Sequence, residues 1–230
     1  MKYLIIPIII GLVLLGACKK NSDSAVPDTH GNLMFVNATQ ILNDQFNVRL
    51  DSIDFASNVG YKTSTGYKSF RAQKYNLIIT TASNPTRVIF NQQLFLRNNR
   101  YYTAFLGADS TKTLLTMIVT EDDLAVPAGQ AKFRVIDFSQ GFKPNGTPLG
   151  IDVYSDTLPR FFRGLGFPSQ TDFAPIMGDS TYTINFRWTD SLKVLKSYKM
   201  PTQTGKVYTL ITAGYPLDST KMDILQVNHN

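Results

Sequence analysis

Two histidines, one cysteine and a few spaced carboxylates are the residues through which this chain could do chemistry. A nucleophilic site needs a positioned base, most often histidine. His30 lies in a polar stretch and His229 stands next to Asn230, where neither is expected to be held rigidly, so a Ser/His/Asp or Cys/His arrangement is not expected. A zinc site of His and Cys lacks ligands in the region that folds. The carboxylates Asp51 with Asp54, Asp122 with Asp123, and Asp152 with Asp156 could serve as acid/base pairs or calcium ligands. Their spacing does not match an EF-hand loop, whose ligands alternate around a fixed glycine. Glu121 is the single glutamate, and the aspartates read as solvated loop residues. The chain carries no Gly-rich phosphate loop. These residues predict a protein that is not an enzyme and holds no metal and no cofactor.

The cysteine has another meaning. Lys2 is followed by an apolar run from Tyr3 that ends Leu14-Leu15-Gly16-Ala17-Cys18, after which come Lys19, Lys20 and Asn21. A short basic end followed by a hydrophobic core is the layout of a signal peptide. The run is shorter than the roughly 20 residues that a membrane-crossing helix needs. The stretch resembles the lipobox of bacterial lipoproteins, in which a peptidase cuts before a cysteine that carries a diacylglycerol. That resemblance implies a signal peptide over residues 1–17 and a lipidated Cys18 as the new N-terminus, with the membrane as partner through the anchor. A lone cysteine can form no internal disulfide, and lipidation accounts for it. One acyl chain holds a protein only marginally, at about 0.8 kcal/mol per methylene, whereas several make attachment effectively permanent. Lys19 is not the aspartate that retains enterobacterial lipoproteins in the inner membrane. The expected localisation is therefore the outer membrane, on its periplasmic or its extracellular face.

The elements that must position any site are strands. The chain is 43% hydrophobic and 17% charged, a balance that folds rather than remaining disordered. Its net charge of +6 comes from scattered Lys and Arg rather than a basic stripe, so nucleic acid is not expected as a partner. Residues 18–31 are polar, with Pro27 and Gly31, and read as a tether. Beyond them, short runs rich in Val, Ile, Phe, Tyr and Thr are bounded by Gly, Pro, Asn, Asp and Ser, which is strand punctuation. No window sustains a helical period.

The chain also repeats itself. Leu33-Met-Phe-Val-Asn-Ala-Thr-Gln40 aligns without gaps with Phe133-Arg-Val-Ile-Asp-Phe-Ser-Gln140. Gly60-Tyr61 matches Gly166-Phe167, Tyr67 matches Phe173, and Tyr75-Asn-Leu-Ile-Ile79 matches Tyr182-Thr-Ile-Asn-Phe186. Tyr102-Thr103 matches Tyr208-Thr209, and Asp109-Ser-Thr-Lys112 recurs unchanged as Asp218-Ser-Thr-Lys221. About 100 residues is the size of one β-sandwich. The fold expected is thus all-β, two tandem antiparallel sandwiches of Ig-like or transthyretin-like kind, over residues 32–121 and 131–230, joined by a linker at 122–130. Pro127-Ala-Gly-Gln-Ala-Lys-Phe-Arg-Val-Ile136 with Ile151-Asp-Val-Tyr154 resembles the domain of unknown function 4397 family. The resemblance implies β-sandwiches in secreted or lipid-anchored bacterial proteins, here in two copies, with residues 131–228 the clearer one. It brings no established activity.

One stretch has a binding character: Arg160-Phe-Phe-Arg-Gly-Leu-Gly-Phe-Pro168. Aromatics beside arginine can stack on sugars or anchor a protein. Phe161, Phe162 and Arg163, with Phe142, are the ligand contacts this suggests, although alternate aromatics of a sandwich strand also cover its core. Asp-Ser and Asp-Thr pairs, including those at Ser110 and Ser219, read as turns. The expected function is a non-enzymatic envelope lipoprotein presenting a binding or adhesion surface for glycan or protein, at loops of a sandwich end or in the cleft between modules. A structural spacer or assembly subunit is the alternative, and a carboxylate-dependent hydrolase ranks third.

Overall fold

A computed structural model of the chain describes residues 29–40 and 45–230. The expected signal peptide, Cys18 and most of the tether lie outside the described residues. The described residues form strands and no helix. None of them therefore makes a helix long and apolar enough to cross a membrane.

The first half contains β1 (His30–Asn37), β2 (Phe46–Leu50), β3 (Ile53–Val59), β4 (Thr63–Ser64), β5 (Lys68–Arg71), β6 (Lys74–Thr81), β7 (Val88–Phe95), β8 (Tyr101–Ala108) and β9 (Leu115–Asp122). The second contains β10 (Gln130–Ser139), β11 (Ile151–Ser155), β12 (Arg160–Leu165), β13 (Ser169–Gln170), β14 (Ala174–Met177), β15 (Thr181–Trp188), β16 (Val194–Pro201), β17 (Val207–Gly214) and β18 (Met222–Asn228).

Each half is a two-sheet sandwich. One sheet of the first half has the order β3-β2-β6-β7, and the other has β1 between β8-β9 on one side and β4 and β5 on the other. The second half repeats both, as β12-β11-β15-β16 and as β10 between β17-β18 and the pair β13 and β14. All strand pairs are antiparallel except β1 with β8 and β10 with β17, which run parallel. These parallel pairs arise because the chain leaves β1 for the other sheet and returns to lay β8 beside it.

Side chains explain the layers. In β6, Tyr75, Leu77 and Ile79 point inward while Lys74 and Asn76 face water, the two-residue period of a strand with one wet face. Phe35, Phe46, Phe55, Leu50 and Leu77 fill the first core, and Phe133, Phe186, Val153, Ile184 and Met200 the second. Each such side chain contributes about 1.5–3 kcal/mol by leaving water.

β1 and β10 break that alternation, since nearly every residue from Leu33 to Asn37 and from Ala131 to Ser139 is buried. Their second faces meet in a third core made of Met34, Val36, Ala38 and Phe105 against Ile136, Phe138, Ile211, Ala213, Leu225 and Val227. The molecule is thus four sheets deep, and the halves share an apolar interior. Gly107 belongs to this contact: a Cβ there would overlap the Phe138 ring.

Candidate functional site

The contact between the halves has two ends with opposite chemistry. One is closed. Arg134 on β10 forms an ion pair with Asp122 at the end of β9, and both side chains are buried. The Arg134 guanidinium stacks over Phe173, 4.5 Å from its centroid, and its Nε donates to Thr209 Oγ1 at 3.0 Å. Thr209 Oγ1 lies 2.7 Å from His229 Nε2, and His229 Nδ1 lies 2.7 Å from Tyr67 OH. Tyr67 OH and Thr103 Oγ1 both donate to Asp122 Oδ2, at 2.8 and 2.6 Å.

One proton arrangement satisfies this ring. Tyr67 gives its hydrogen to Asp122, so His229 donates from Nδ1 to Tyr67 and accepts at Nε2 from Thr209, which in turn accepts from Arg134. His229 is then neutral. Burial, with the charges on Arg134 and Lys132, pushes it down to about 3, in keeping with that form. Burial also pushes Asp122 up, opposed by the Arg134 charge and the bonds from Thr103 and Tyr67.

Sequence reasoning misplaced these residues. His229 is not loosely held: it is 4% exposed and bonded on both ring nitrogens. Asp122 is buried in β9 rather than solvated in a loop. A threonine, a histidine and an aspartate joined through a tyrosine could suggest a relay, but Thr209 is fully buried and no substrate reaches it. The ring is a fastening. The signal that could have found it is the repeat itself, since Thr209, Phe173 and Arg134 align with Thr103, Tyr67 and Met34.

The other end is open. A cavity of about 630 Å³ is lined by Gln40, Tyr61, Ser110 and Lys112 of the first half and by Tyr215, Thr220, Lys221 and Asp223 of the second, among others. Its size falls within the roughly 300–1,000 Å³ of small-molecule sites. Across its floor Tyr61 OH donates to Asp223 Oδ2 at 2.7 Å, and Gln40 Nε2 donates to the same oxygen at 3.2 Å. Lys62 Nζ lies 3.0 Å from that oxygen.

The walls come from the two Asp-Ser-Thr-Lys turns, one between β8 and β9 and one between β17 and β18. In each turn the aspartate ties down its own loop. Asp109 Oδ1 accepts from the backbone N–H groups of Thr113 and Leu114, and Thr111 donates to its other oxygen. Asp218 Oδ1 accepts from the Thr220 backbone and hydroxyl. Those bonds, with one from Lys221, hold Asp218 down at about 2.

The other suggested contacts lie elsewhere. Phe161 and Phe162 on β12 stack edge-on against Phe133, at 4.9 and 5.5 Å, and pack on the second core. Arg163 is exposed and pairs with Asp190 at 2.9 Å. Phe142 is 46% exposed and bridges to Pro148. None of the four lines the cleft. Of the carboxylate pairs, Asp152 is buried and accepts from Gly164 N and Thr189 Oγ1, a role in a strand irregularity rather than in solvent. Among the described residues no cluster of His, Cys, Asp or Glu could hold a metal.

The fold and this cleft describe an all-β protein of tandem sandwiches with a polar recess where they meet. The model of the family described as Domain of unknown function (DUF4397) matches residues 25–144, and the chain belongs to that family. The match takes in the first half and runs on through β10. No curated protein matches the chain. Among solved structures, it is similar to CBMbc (family CBM26) of Amy13K from Eubacterium rectale, crystallised with maltoheptaose, at 10% identity and a TM-score of 0.28, over 85% of this chain and 96% of that one. It is also similar to a fimbrial assembly protein from Parabacteroides distasonis, at 12% identity and a TM-score of 0.22, over 86% and 95%. Both likenesses are too loose for a function to pass from either protein to this one.

Proposed function

We propose that the protein is a non-enzymatic envelope lipoprotein, anchored in the outer membrane through Cys18, that binds a saccharide in the cleft between its halves. Each half is one copy of the family domain, over residues 32–121 and 131–230, and residues 18–31 are the tether. The cleft carries this reading: a polar recess walled by two copies of the same turn and lined with amide, hydroxyl, ammonium and tyrosine groups. Such groups hydrogen-bond sugar hydroxyls, and Tyr61 and Tyr215 offer ring surface for sugar C–H faces. Among the described residues, His229 is buried away from the cavity and Asp109, Asp218 and Asp223 are each hydrogen-bonded within the protein, which favours binding over hydrolysis. Phe161 and Phe162, with rings turned to the core, support the cleft over β12 as the site.

Calorimetric titration with oligosaccharides tests the reading. Ser110→Trp, which fills the recess from one wall, is expected to abolish heat of binding while the melting temperature holds. Binding that survives Ser110→Trp would move the site elsewhere. For the anchor, intact mass of the membrane-extracted protein is expected to show the acyl mass, and Cys18→Ala to lose it. The apolar contact between the halves favours a second reading, a rigid envelope spacer, which predicts no saccharide binding at all.

A further inference from the structure

We infer that the ligand of the cleft is anionic, an acidic saccharide whose carboxylates are held by Lys112 and Lys221. This rests on the cleft as the binding site and adds the charge of what it binds. The argument is a count of donors against acceptors. Among the described residues, each carboxylate near the cleft is engaged by donors. Asp109 takes two backbone N–H groups and the Thr111 hydroxyl, and Asp218 takes Thr220 and Lys221. Asp223 takes Tyr61, Gln40 and Lys62, all on Oδ2. Hydrogen bonds outweigh burial at Asp109, as Tyr61 and Lys62 with the Lys196 charge do at Asp223, and keep both below the usual carboxylate range, so all three are ionised.

The ammonium groups have bonds to spare. An ammonium carries three N–H bonds and no acceptor. Lys112 is exposed on the first turn at a φ of 61° and makes no ion pair among the described residues, and Lys221 uses one bond on Asp218 at 3.2 Å. Lys196 reaches the second turn, donating to the Ser219 carbonyl at 2.6 Å, and adds to the positive field. The Ser110 hydroxyl and the Tyr215 phenol also lie at the wall. Each hydroxyl of a neutral sugar brings a hydrogen that needs an acceptor as well as its lone pairs, whereas a carboxylate brings acceptors only and a charge, which is what ammonium groups with open bonds fit. Two lysines brought together by two copies of one turn match carboxylates on successive sugar units, held as charge-assisted hydrogen bonds.

Titration of the whole folded protein with tetragalacturonate and with cellotetraose tests this. Tetragalacturonate is expected to bind, more weakly as salt rises, with cellotetraose at least about tenfold weaker. Lys112→Gln with Lys221→Gln is expected to cost about tenfold for each lysine on tetragalacturonate and to leave cellotetraose unchanged. Both side chains are exposed, so the melting temperature serves as a control for folding. Equal binding of the two sugars, or tetragalacturonate binding that is lost in Ser110→Trp but untouched by the lysine pair, would overturn the charge inference and leave the cleft standing as the site. Tetragalacturonate binding that survives Ser110→Trp, or no binding of either sugar, would overturn both.

Discussion

The two halves carry different residues at many of the equivalent positions where they press on each other, and the same four residues in the turns that wall the cleft. Strand register makes the comparison residue by residue. Met34 pairs with Thr103 as Arg134 pairs with Thr209, and Asn37 opposes Thr63 as Asp137 opposes Ser169. By the same register Asp122 corresponds to His229, Tyr67 to Phe173, Ala38 to Phe138 and Gly107 to Ala213. Two similar faces laid together would set like against like. The differences instead set cation against anion and a ring against a glycine. The turns face solvent, so no neighbour forces them apart.

Removing one side of the ionic match is the severest way to break this comparison. Arg134→Met, which gives the second half the counterpart residue of the first, leaves Asp122 buried without its cation. It is expected to cost about 3–5 kcal/mol in urea unfolding. Adding Asp122→Leu to that variant is expected to recover most of the loss, since an apolar pair of similar volume needs no solvation. A double variant as unstable as the single one would show that the ring's other bonds, not the charge match, hold the halves together.

Asp137 tests the next difference. Its Oδ1 accepts from Ser139 N, as Asn37 Oδ1 accepts from Thr39 N, but its Oδ2 is buried with no partner where Asn37 Nδ2 donates to Val59 O. Burial pushes Asp137 up to about 6 from 3.8, opposed by bonds from Ser139 and Thr212. The folded chain therefore keeps a proton that the unfolded chain has lost. The contribution of Asp137 to stability is expected to fall as pH rises from about 4 to about 6 and to stay level above, while His229, neutral in the folded chain down to about 3, contributes a rise over the same range that offsets it. Asp137→Asn is expected to remove the falling contribution, so that stability rises with pH over this range, and to gain about 3 kcal/mol at neutral pH. Unfolding curves from pH 4 to 7 check it, and an unchanged slope would assign the titration to another group.

Gly107→Ala is expected to cost about 1–3 kcal/mol through overlap with Phe138. In a Phe138→Ala background the same change is expected to cost under about 0.5 kcal/mol, a coupling that a double-mutant cycle in denaturant reads directly. The smallest effect belongs to the turns. Lys112→Gln with Lys221→Gln is expected to shift stability by less than about 0.5 kcal/mol, because exposed lysines contribute little to folding.

Strand punctuation and the repeat made the sandwiches legible, since Tyr75, Leu77 and Ile79 alternate with polar residues as a half-buried strand must. The contact between the halves was not legible. Met34, Val36 and Ala38 occupy positions that the period-two rule assigns to an outer face, and a strand buried on both faces reads as a continuous apolar run with no sign of what covers it. Asp122 was hidden by its neighbours, as Glu121 and Asp123 give the segment the look of a solvated connector. Its partner Arg134 lies inside an otherwise apolar strand, which in retrospect marks a buried charge seeking an opposite one. The cleft was foreseen as a place but not as a set of residues. Its walls depend on two turns far apart in sequence that meet only because equivalent ends of the halves lie together.

The parallel pairing of β1 with β8 has a mechanical consequence. β1 is the first described strand, and it lies inside its sheet, bonded to β8 along one edge and to β4 and β5 along the other. A pull on the preceding chain along the strand direction loads both rows of hydrogen bonds lengthwise and together, instead of peeling them one at a time from an edge. Extraction of β1 would also drag Met34, Val36 and Phe35 out of two apolar interiors at once. The folded body resists tension applied ahead of β1 much as a lap joint resists sliding, with its strength set by the whole overlap rather than by its weakest bond.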